Sequence, residues 1–547
     1  ATGDLQEESE KNFLLHRQYT TDTTKALAAE KISVDSFKTI TFVQDHVHDF
    51  AWFADPDYKV EEQVLTLASG RQIHCRSYYR PASRALYRGS AEVIAGTVSF
   101  LSKKVGEYPY AHASIVEGCL KAGEGMEYPN VAVIGSSESR SMLRTVIIHE
   151  VGHNWFYGLL GSDERTHPWM DEGMNSYYEK RISRELPVSA TDSIRQLPKR
   201  ALRLIPDEHV LLNFSQLVHE DQAIDESAPT YTPFNYNAVV YEKSAEMLRY
   251  LSAYLGPTLF DSVMKSYFAQ WHFKHPQPDD FYDVLASVSH CDMHDFINDG
   301  FQHTKAIDFS LSHVTHDSCG FDVNVHNRTG FRGPLPVSAM HQQRILETRW
   351  IEPVAVHGTL HFNLPADSVT AFRIDAEEVM SERRISNNIY HLHKLFPKTS
   401  LGIRAGSSLG LSIRQKLFLI PAVGYNFYDK GMAGLVLHNI LFPNHPFQFA
   451  LMPLYASGPK SWAGSGFASY TVYPSKWFQH IRAGIFFRSY HEDETHLHLA
   501  SSLYARYLRI RPSLHITLKK KEARSPITHS FECQYIFLQT QTDRKSV

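Results

Sequence analysis

Cysteine is scarce in this 547-residue chain. Cys75, Cys119, Cys291, Cys319 and Cys533 are widely scattered and no CxxC pair occurs. That argues against a disulfide framework and against a cysteine-ligated zinc site. No stretch of roughly 18 or more apolar residues is present, so no transmembrane helix is expected. A β-barrel escapes that test, because its strands are short and alternating. Charge of one sign is also lacking. Lys+Arg 55 against Asp+Glu 59 leaves a net charge of −4. Without a basic run of real length, a dedicated nucleic-acid binder is not expected. The opening Ala1-Thr2-Gly3-Asp4 has no charged-then-apolar signal pattern, so the chain is expected to be trimmed or a piece of something longer. Internal repeats and low-complexity segments are absent. What remains is a globular composition, 43% hydrophobic and 21% charged, in a chain too long for one core. Histidine is plentiful, at 31, so a lone histidine carries no ligand claim.

Helical signals dominate residues 50–305. A helical-looking stretch around Lys25–Lys31 and an alternating run near Thr39–Val43 come first. Ala91, Ile94, Ala95, Val98, Leu101 and Val105 then recur at helical spacing, and Val131–Ile134 reads as a short strand closed by Gly135. Met142–Phe156, Trp169–Arg181, Ala238–Leu255 and Pro257–Trp271 read as helices, the last two broken at Gly256-Pro257. After Asp308 the texture changes to period-two alternation, as in Thr359–Leu364 and in Leu514, Ile516 and Leu518 against His515, Thr517 and Lys519. The expected fold class is α+β, a mostly helical domain followed by an all-β C-terminal region.

One helix contains His149-Glu150-Val151-Gly152-His153. Residues i and i+4 share a helical face, so two imidazoles there can hold one zinc ion. Glu150 sits beside that face, within reach of a metal-bound water. The motif alone also fits a solvated polar turn. Against that stand the flanking Val146-Ile147-Ile148 and Trp155-Phe156, which mark a buried helix whose polar groups need a partner. After His153 come eighteen residues, Asn154 to Asp171, and then Glu172, which opens the next helical pattern and can complete a His/His/Glu site with one open position. Glu179, two turns on, is a candidate acceptor for a ligand imidazole; a surface glutamate beside Lys180 and Arg181 is the alternative.

HEVGHNWF, the eighteen-residue spacing and WMDEG together resemble the gluzincin signature of the aminopeptidase N and leukotriene hydrolase family. Glu124-Gly125-Met126-Glu127-Tyr128-Pro129 resembles that family's GAMEN element, and Tyr241-Glu242-Lys243-Ser244 its YEKG segment. The resemblance covers roughly residues 50–305 and implies a thermolysin-like catalytic domain. It implies one Zn(2+) per chain on His149, His153 and Glu172, and peptide substrates. It gives Glu150 the part of general base and then acid, Tyr241 that of oxyanion donor, and Glu127 that of ligand to the substrate's α-amino group. The strand around Gly125–Pro129, with Gly125 and Met126, would pair with the peptide backbone. Three departures stand out: Tyr128 where the family has Asn, only about 48 residues where it has a large N-terminal β-domain, and no helical C-terminal superhelix.

These readings divide the chain into a remnant or linker at 1–48, a zinc peptidase domain at 49–309, a small β-sandwich at 310–390 and an antiparallel β region at 391–547. The last region, with Pro421–Asp429 and the aromatics Tyr455, Trp462, Tyr470, Tyr473, Trp477 and Phe478, resembles the outer-membrane surface-antigen-like strands of membrane-bound bacterial relatives. That resemblance implies lipid contact and an extracytoplasmic place in a bacterium; a soluble β-domain is the alternative. Two function classes are carried forward. One is a zinc metallopeptidase, expected to release N-terminal residues, with endopeptidase and epoxide hydrolase open. The other is an inactive scaffold at the outer membrane.

Overall fold

The structure is a computed structural model and describes residues 1–6, 39–120, 125–186, 208–394, 397, 401–405, 415–440, 446–474, 476–497 and 501–543. The stretch Lys25–Lys31 and Glu124 lie outside the described residues. Two compact units emerge. The first comprises Ala1–Pro198, Ile224–Pro229 and Val240–His294; the second comprises Lys199–Ala223, Thr230–Val239 and Asp295–Val547.

The first unit is built on a sheet that the sequence reading largely missed. Its strands are β1 (Lys59–Thr66), β2 (Gln72–Tyr79), β3 (His112–Glu117), β4 (Gly125–Met126) and β5 (Val131–Ile134). The order is β1-β2-β3-β5-β4, with β2, β3 and β5 parallel and both edge strands antiparallel. The miss has a physical cause. β3 is buried on both faces, and a strand covered on both sides loses the alternation that marks a half-buried one. Only β5 was legible, because Val131-Ala132-Val133-Ile134 is an uninterrupted apolar run.

Helix α1 (Ser90–Lys104) lies on β1 and β2 and buries the expected Ala91, Ile94, Ala95, Val98 and Leu101. Helix α2 (Arg140–His153) packs against α1 and the inner strands. Ser139 starts it, its hydroxyl accepting from the Met142 amide. After His153 the chain widens into a π-helical turn, Asn154–Leu159. A second π-helical turn, Trp169–Gly173, leads into α3 (Met174–Glu185), and a third, Tyr236–Lys243, leads into α4 (Ser244–Leu255). Gly256 at φ 82° then breaks to α5 (Pro257–Trp271), as the Gly-Pro pair predicts. Asp261 of α5 ties the bundle, accepting from Arg181 of α3 and Lys104 of α1.

The second unit is all β in its C-terminal part. Strands between Phe309 and His391 form a four-stranded and a three-stranded sheet. Their inner faces meet through Phe321, Phe362 and Phe372, with ring centroids 5.1–5.3 Å apart. Beyond them, nine strands from Leu401 to Asp543 make one meandering sheet, antiparallel except for its first pair. Among the described residues its first and last strands are not paired to one another, so the described sheet is open. Its polarity is mixed: Met432, Leu454, Ala456, Ala463 and Tyr490 form a small buried apolar cluster, but polar groups are buried and apolar ones exposed beside it. Val423, Tyr425, Trp462, Tyr470 and Trp477 are exposed, whereas Asp429, His438, Gln448, Thr471, His491 and Thr517 are buried. Among the described residues no helix is long and apolar enough to cross a membrane, which leaves strands untested. The chain is therefore α+β, with an all-β C-terminal region.

Candidate active site

The site begins with a helix that must carry polar groups through a core. Leu143, Val146, Ile147 and Val151 bury one side of α2. His149 and His153, one turn apart, come together on another, with Nε2 atoms 3.1 Å from each other. The helix end is anchored by amides. Asn154 Oδ1 accepts from the Asn130 amide and its Nδ2 donates to Val151 O; Asn130, at φ 63°, in turn accepts from the Tyr108 hydroxyl. These bonds pin the His153 turn to the start of β5.

Glu172, from the π-helical turn before α3, closes the cluster. Its Oε2 lies 3.2 Å from His149 Nε2 and 3.2 Å from His153 Nε2. The three donor atoms thus form a nearly equilateral triangle with edges of 3.1, 3.2 and 3.2 Å. A tetrahedral ion with bonds of about 2.0–2.1 Å needs edges of about 3.3 Å, so the donors stand close to one face of such a site. Gly173 lets the turn that carries Glu172 lie close against the Val240–Ser244 segment, since a Cβ there would sit 2.5 Å from Ser244 Cβ and 2.9 Å from Val240 O.

Electrostatics points the same way. Burial disfavours a charged His149, but the hydrogen bonds to Glu172 and Glu179 outweigh it and raise the imidazole to about 9. Asp171 and Glu172 likewise outweigh burial at His153 and hold its imidazole well above the ordinary value. Glu172 is pushed up by burial but pulled far below the usual carboxylate range by the two imidazoles. Carboxylates here favour positive charge at the two rings, and a divalent cation would satisfy the same preference.

Glu150 is 7% exposed, and its Oε2 meets no hydrogen-bond partner among the described residues. Burial pushes its carboxyl up to about 7, against the pull of His153 and His149. An orphaned buried carboxyl oxygen next to a cation cluster is suited to holding a water proton. The space for it is made by Gly125, where a Cβ would fall 2.1 Å from Glu150 Oε1. Gly125 and Met126 form the edge strand β4, which pairs on one side with β5. Glu127 follows, with a carboxylate oxygen within 4.8 Å of ligand atoms of His153 and Asp171. Burial raises its carboxyl, His153 lowers it, and Asp171 and Glu172 raise it further.

Tyr241 also arrives. Its hydroxyl donates to Glu172 Oε1 at 2.5 Å, and its ring stacks on His149 at 5.8 Å between centroids. Glu179 Oε2 lies 3.2 Å from His149 Nδ1. The structure thus brings His149, Glu150, His153, Glu172, Glu179, Tyr241, Gly125, Met126 and Glu127 to one place. Two participants were not foreseen. Asp171 Oδ1 lies 2.6 Å from His153 Nδ1, and Asn175 Nδ2 donates to His149 O at 2.8 Å. Asp171 had one signal, its place beside the third ligand; Asn175 had none.

Comparison with known proteins agrees with this geometry. The Peptidase family M1 domain matches residues 129–300. Aminopeptidase Q of Mus musculus is 25% identical over 157 residues, 28% of this chain and 27% of that protein. Aminopeptidase N of Plutella xylostella is 23% identical over 206 residues, 34% of this chain and 20% of that protein. The match therefore spans only about a quarter of the length of these relatives or less. A solved structure, Legionella pneumophila aminopeptidase A in complex with aspartic acid, aligns over 56% of this chain and 36% of that one, at 16% identity and a TM-score of 0.45. The segments that carry the two histidines, Glu172 and Tyr241 all fall inside residues 129–300, the stretch of this chain that the Peptidase family M1 domain matches.

Proposed function

We propose that the chain is a zinc-dependent metallopeptidase that releases N-terminal residues from peptides. The observation that carries this is the triangle of His149, His153 and Glu172 donors beside the unpartnered Glu150 oxygen, inside an M1 domain. When bound, zinc supplies a Lewis acid that polarises the scissile carbonyl and acidifies water. Glu150 takes the proton of the attacking water and delivers it to the leaving amine. Tyr241 turns its hydroxyl from Glu172 to the developing oxyanion. Glu127 holds the substrate's α-ammonium, and the free edge of β4 pairs with its backbone. Glu179 holds His149 in orientation. The domain limits that accompany this proposal are 49–309 for the peptidase, 310–390 for the sandwich and 391–547 for the β region.

The test combines metal analysis with matched substrates. Purified protein should carry one zinc per chain and lose turnover to a chelator. An acetylated peptide should be cut roughly 10–150-fold less efficiently than its free-amine twin, as a charge-assisted contact of about 1.5–3 kcal/mol requires. Activity that survives complete metal removal would sink the zinc assignment. Equal kcat/KM on the two peptides would make the enzyme an endopeptidase.

The C-terminal sheet supports a second element of this reading, contact with lipid. A sheet that buries Asp429 and His491 while exposing Val423, Trp462 and Trp477 matches the apolar-out arrangement of outer-membrane strands. The proposed location is extracytoplasmic in a bacterium. Flotation with phospholipid vesicles should carry the protein upward; protein that stays at the bottom of the gradient would return the sheet to the soluble class.

A further inference from the structure

We propose that Asp171 is a positioning residue for the site, acting through His153; this rests on the zinc reading above. The imidazole of His153 has two faces of use. Its Nε2 looks into the donor cluster, 3.1 Å from His149 Nε2 and 3.2 Å from Glu172 Oε2. Its Nδ1 donates to Asp171 Oδ1 at 2.6 Å. With Nδ1 carrying the proton, Nε2 is left with the lone pair that a metal needs. A carboxylate in that place also makes the imidazole a stronger base, and so a stronger ligand.

The chain does this with two consecutive residues. Asp171 and Glu172 lie in one π-helical turn and reach the two nitrogens of the same ring. The third ligand and the orienting carboxylate therefore cannot move independently. The pair is sealed, with side chains 1% exposed at His153 and 3% at Asp171. His149 has a looser arrangement. Its Nδ1 is 3.2 Å from Glu179, and the two side chains are 15% and 19% exposed. A short buried bond restrains a ring more than a longer, partly hydrated one, so the two histidines are held unequally. The tighter hold falls on the ligand at the last residue of the α-helix, just before the backbone widens into the π-helical turn. Packing alone asks only for a residue of this size at position 171. A carboxylate on Nδ1 is what ligand positioning asks for.

The experiment compares D171N and E179Q with the unsubstituted protein. Zinc affinity is measured by competition with a chelator. The melting temperature of each metal-free protein is recorded beside it, together with the visible spectrum of each cobalt-loaded form. D171N keeps the shape and an acceptor atom but loses the charge. It should weaken zinc about 10–100-fold and shift the cobalt bands, while the metal-free melting temperature stays near that of the parent. E179Q should weaken zinc less. D171N that holds zinc as tightly as the parent overturns the proposal, and so does D171N that loses zinc only in step with a lower metal-free melting temperature. If D171N does not fold, Asp171→Ser, smaller but still a hydrogen-bond acceptor, decides between the same two outcomes. A parent protein that binds no zinc at all would instead sink the zinc reading itself.

Discussion

The helical site and the C-terminal sheet bury opposite things. Around α2 the apolar side chains Val146, Ile147 and Val151 go inward and surround one dense polar focus. In the nine-stranded sheet, Asp429 and His491 are buried as a pair, Nδ1 2.6 Å from Oδ1, while Val423 is 87% exposed. Both regions have regular periodicity, of 3.6 in one and of two in the other. Periodicity tells which residues share a face. It does not tell which face water sees. That sign comes from what covers the element, and two regions of one chain can take opposite signs.

The largest effect that would break this contrast lies in the helical site. Glu150→Gln should keep the zinc ligands and cost about 10²–10⁴-fold in turnover, since the base is lost and the site is not. Full turnover in that variant, with zinc retained, would mean that the polar focus of α2 is not catalytic. Tyr241→Phe should lower kcat by about 10²–10³-fold, as loss of one oxyanion donor does, with KM little changed. An effect on KM alone would place Tyr241 in substrate binding. Next in size is the buried pair of the sheet. Asp429→Ala removes the buried acceptor of the His491 ring and backbone amide and should destabilise the protein by about 1–3 kcal/mol in denaturant titrations. If the contrast holds, Val423→Ala on the exposed apolar face should change stability by less than about 0.5 kcal/mol in aqueous buffer. A reversed ranking would show that the sheet's stability rests on its apolar side chains, such as the Met432, Leu454 and Ala463 cluster, and not on the buried polar pair.

The smallest expected effect is acid sensitivity of the helical bundle. Burial pushes the Asp261 carboxyl up, and the hydrogen bonds and charges of Arg181 and Lys104 outweigh it, leaving it below the ordinary value. A depressed carboxyl pKa in the folded state means that this contribution is complete above the ordinary carboxylate range. It fades as pH falls through the folded value. Asp261→Asn should therefore flatten the stability profile at acid pH, and an unchanged profile would assign the acid sensitivity to other carboxylates.

Much of the site was legible because it is local. His149 and His153 lie four residues apart on a regular helix, and backbone hydrogen bonding alone brings their side chains together. Gly125 and Tyr241 were legible only through resemblance. Nothing in their neighbours says that a Cβ at 125 would strike Glu150 or that Tyr241 reaches Glu172. Strands β1 and β2 are not covered on both faces, and burial does not explain their being unread; β3 is illegible because it is buried on both faces and has no polar side to betray it. Asp171 was passed over for a related reason. Next to a ligand, a carboxylate reads as a charged neighbour until its distance to the ring is known.

Contacts within about one helical turn are settled by bond geometry, so the order of residues was enough for the two histidines, for Glu150 beside them and for the break at Gly256-Pro257. Glu172 and Trp462 are named by spacing and resemblance, but the distances that close the donor triangle, the grip of Asp171 on His153 and the exposure of Val423 are settled only in three dimensions. Each depends on which distant segments pack together, and packing is a property of the whole fold, set by non-local burial that no short stretch of residues encodes.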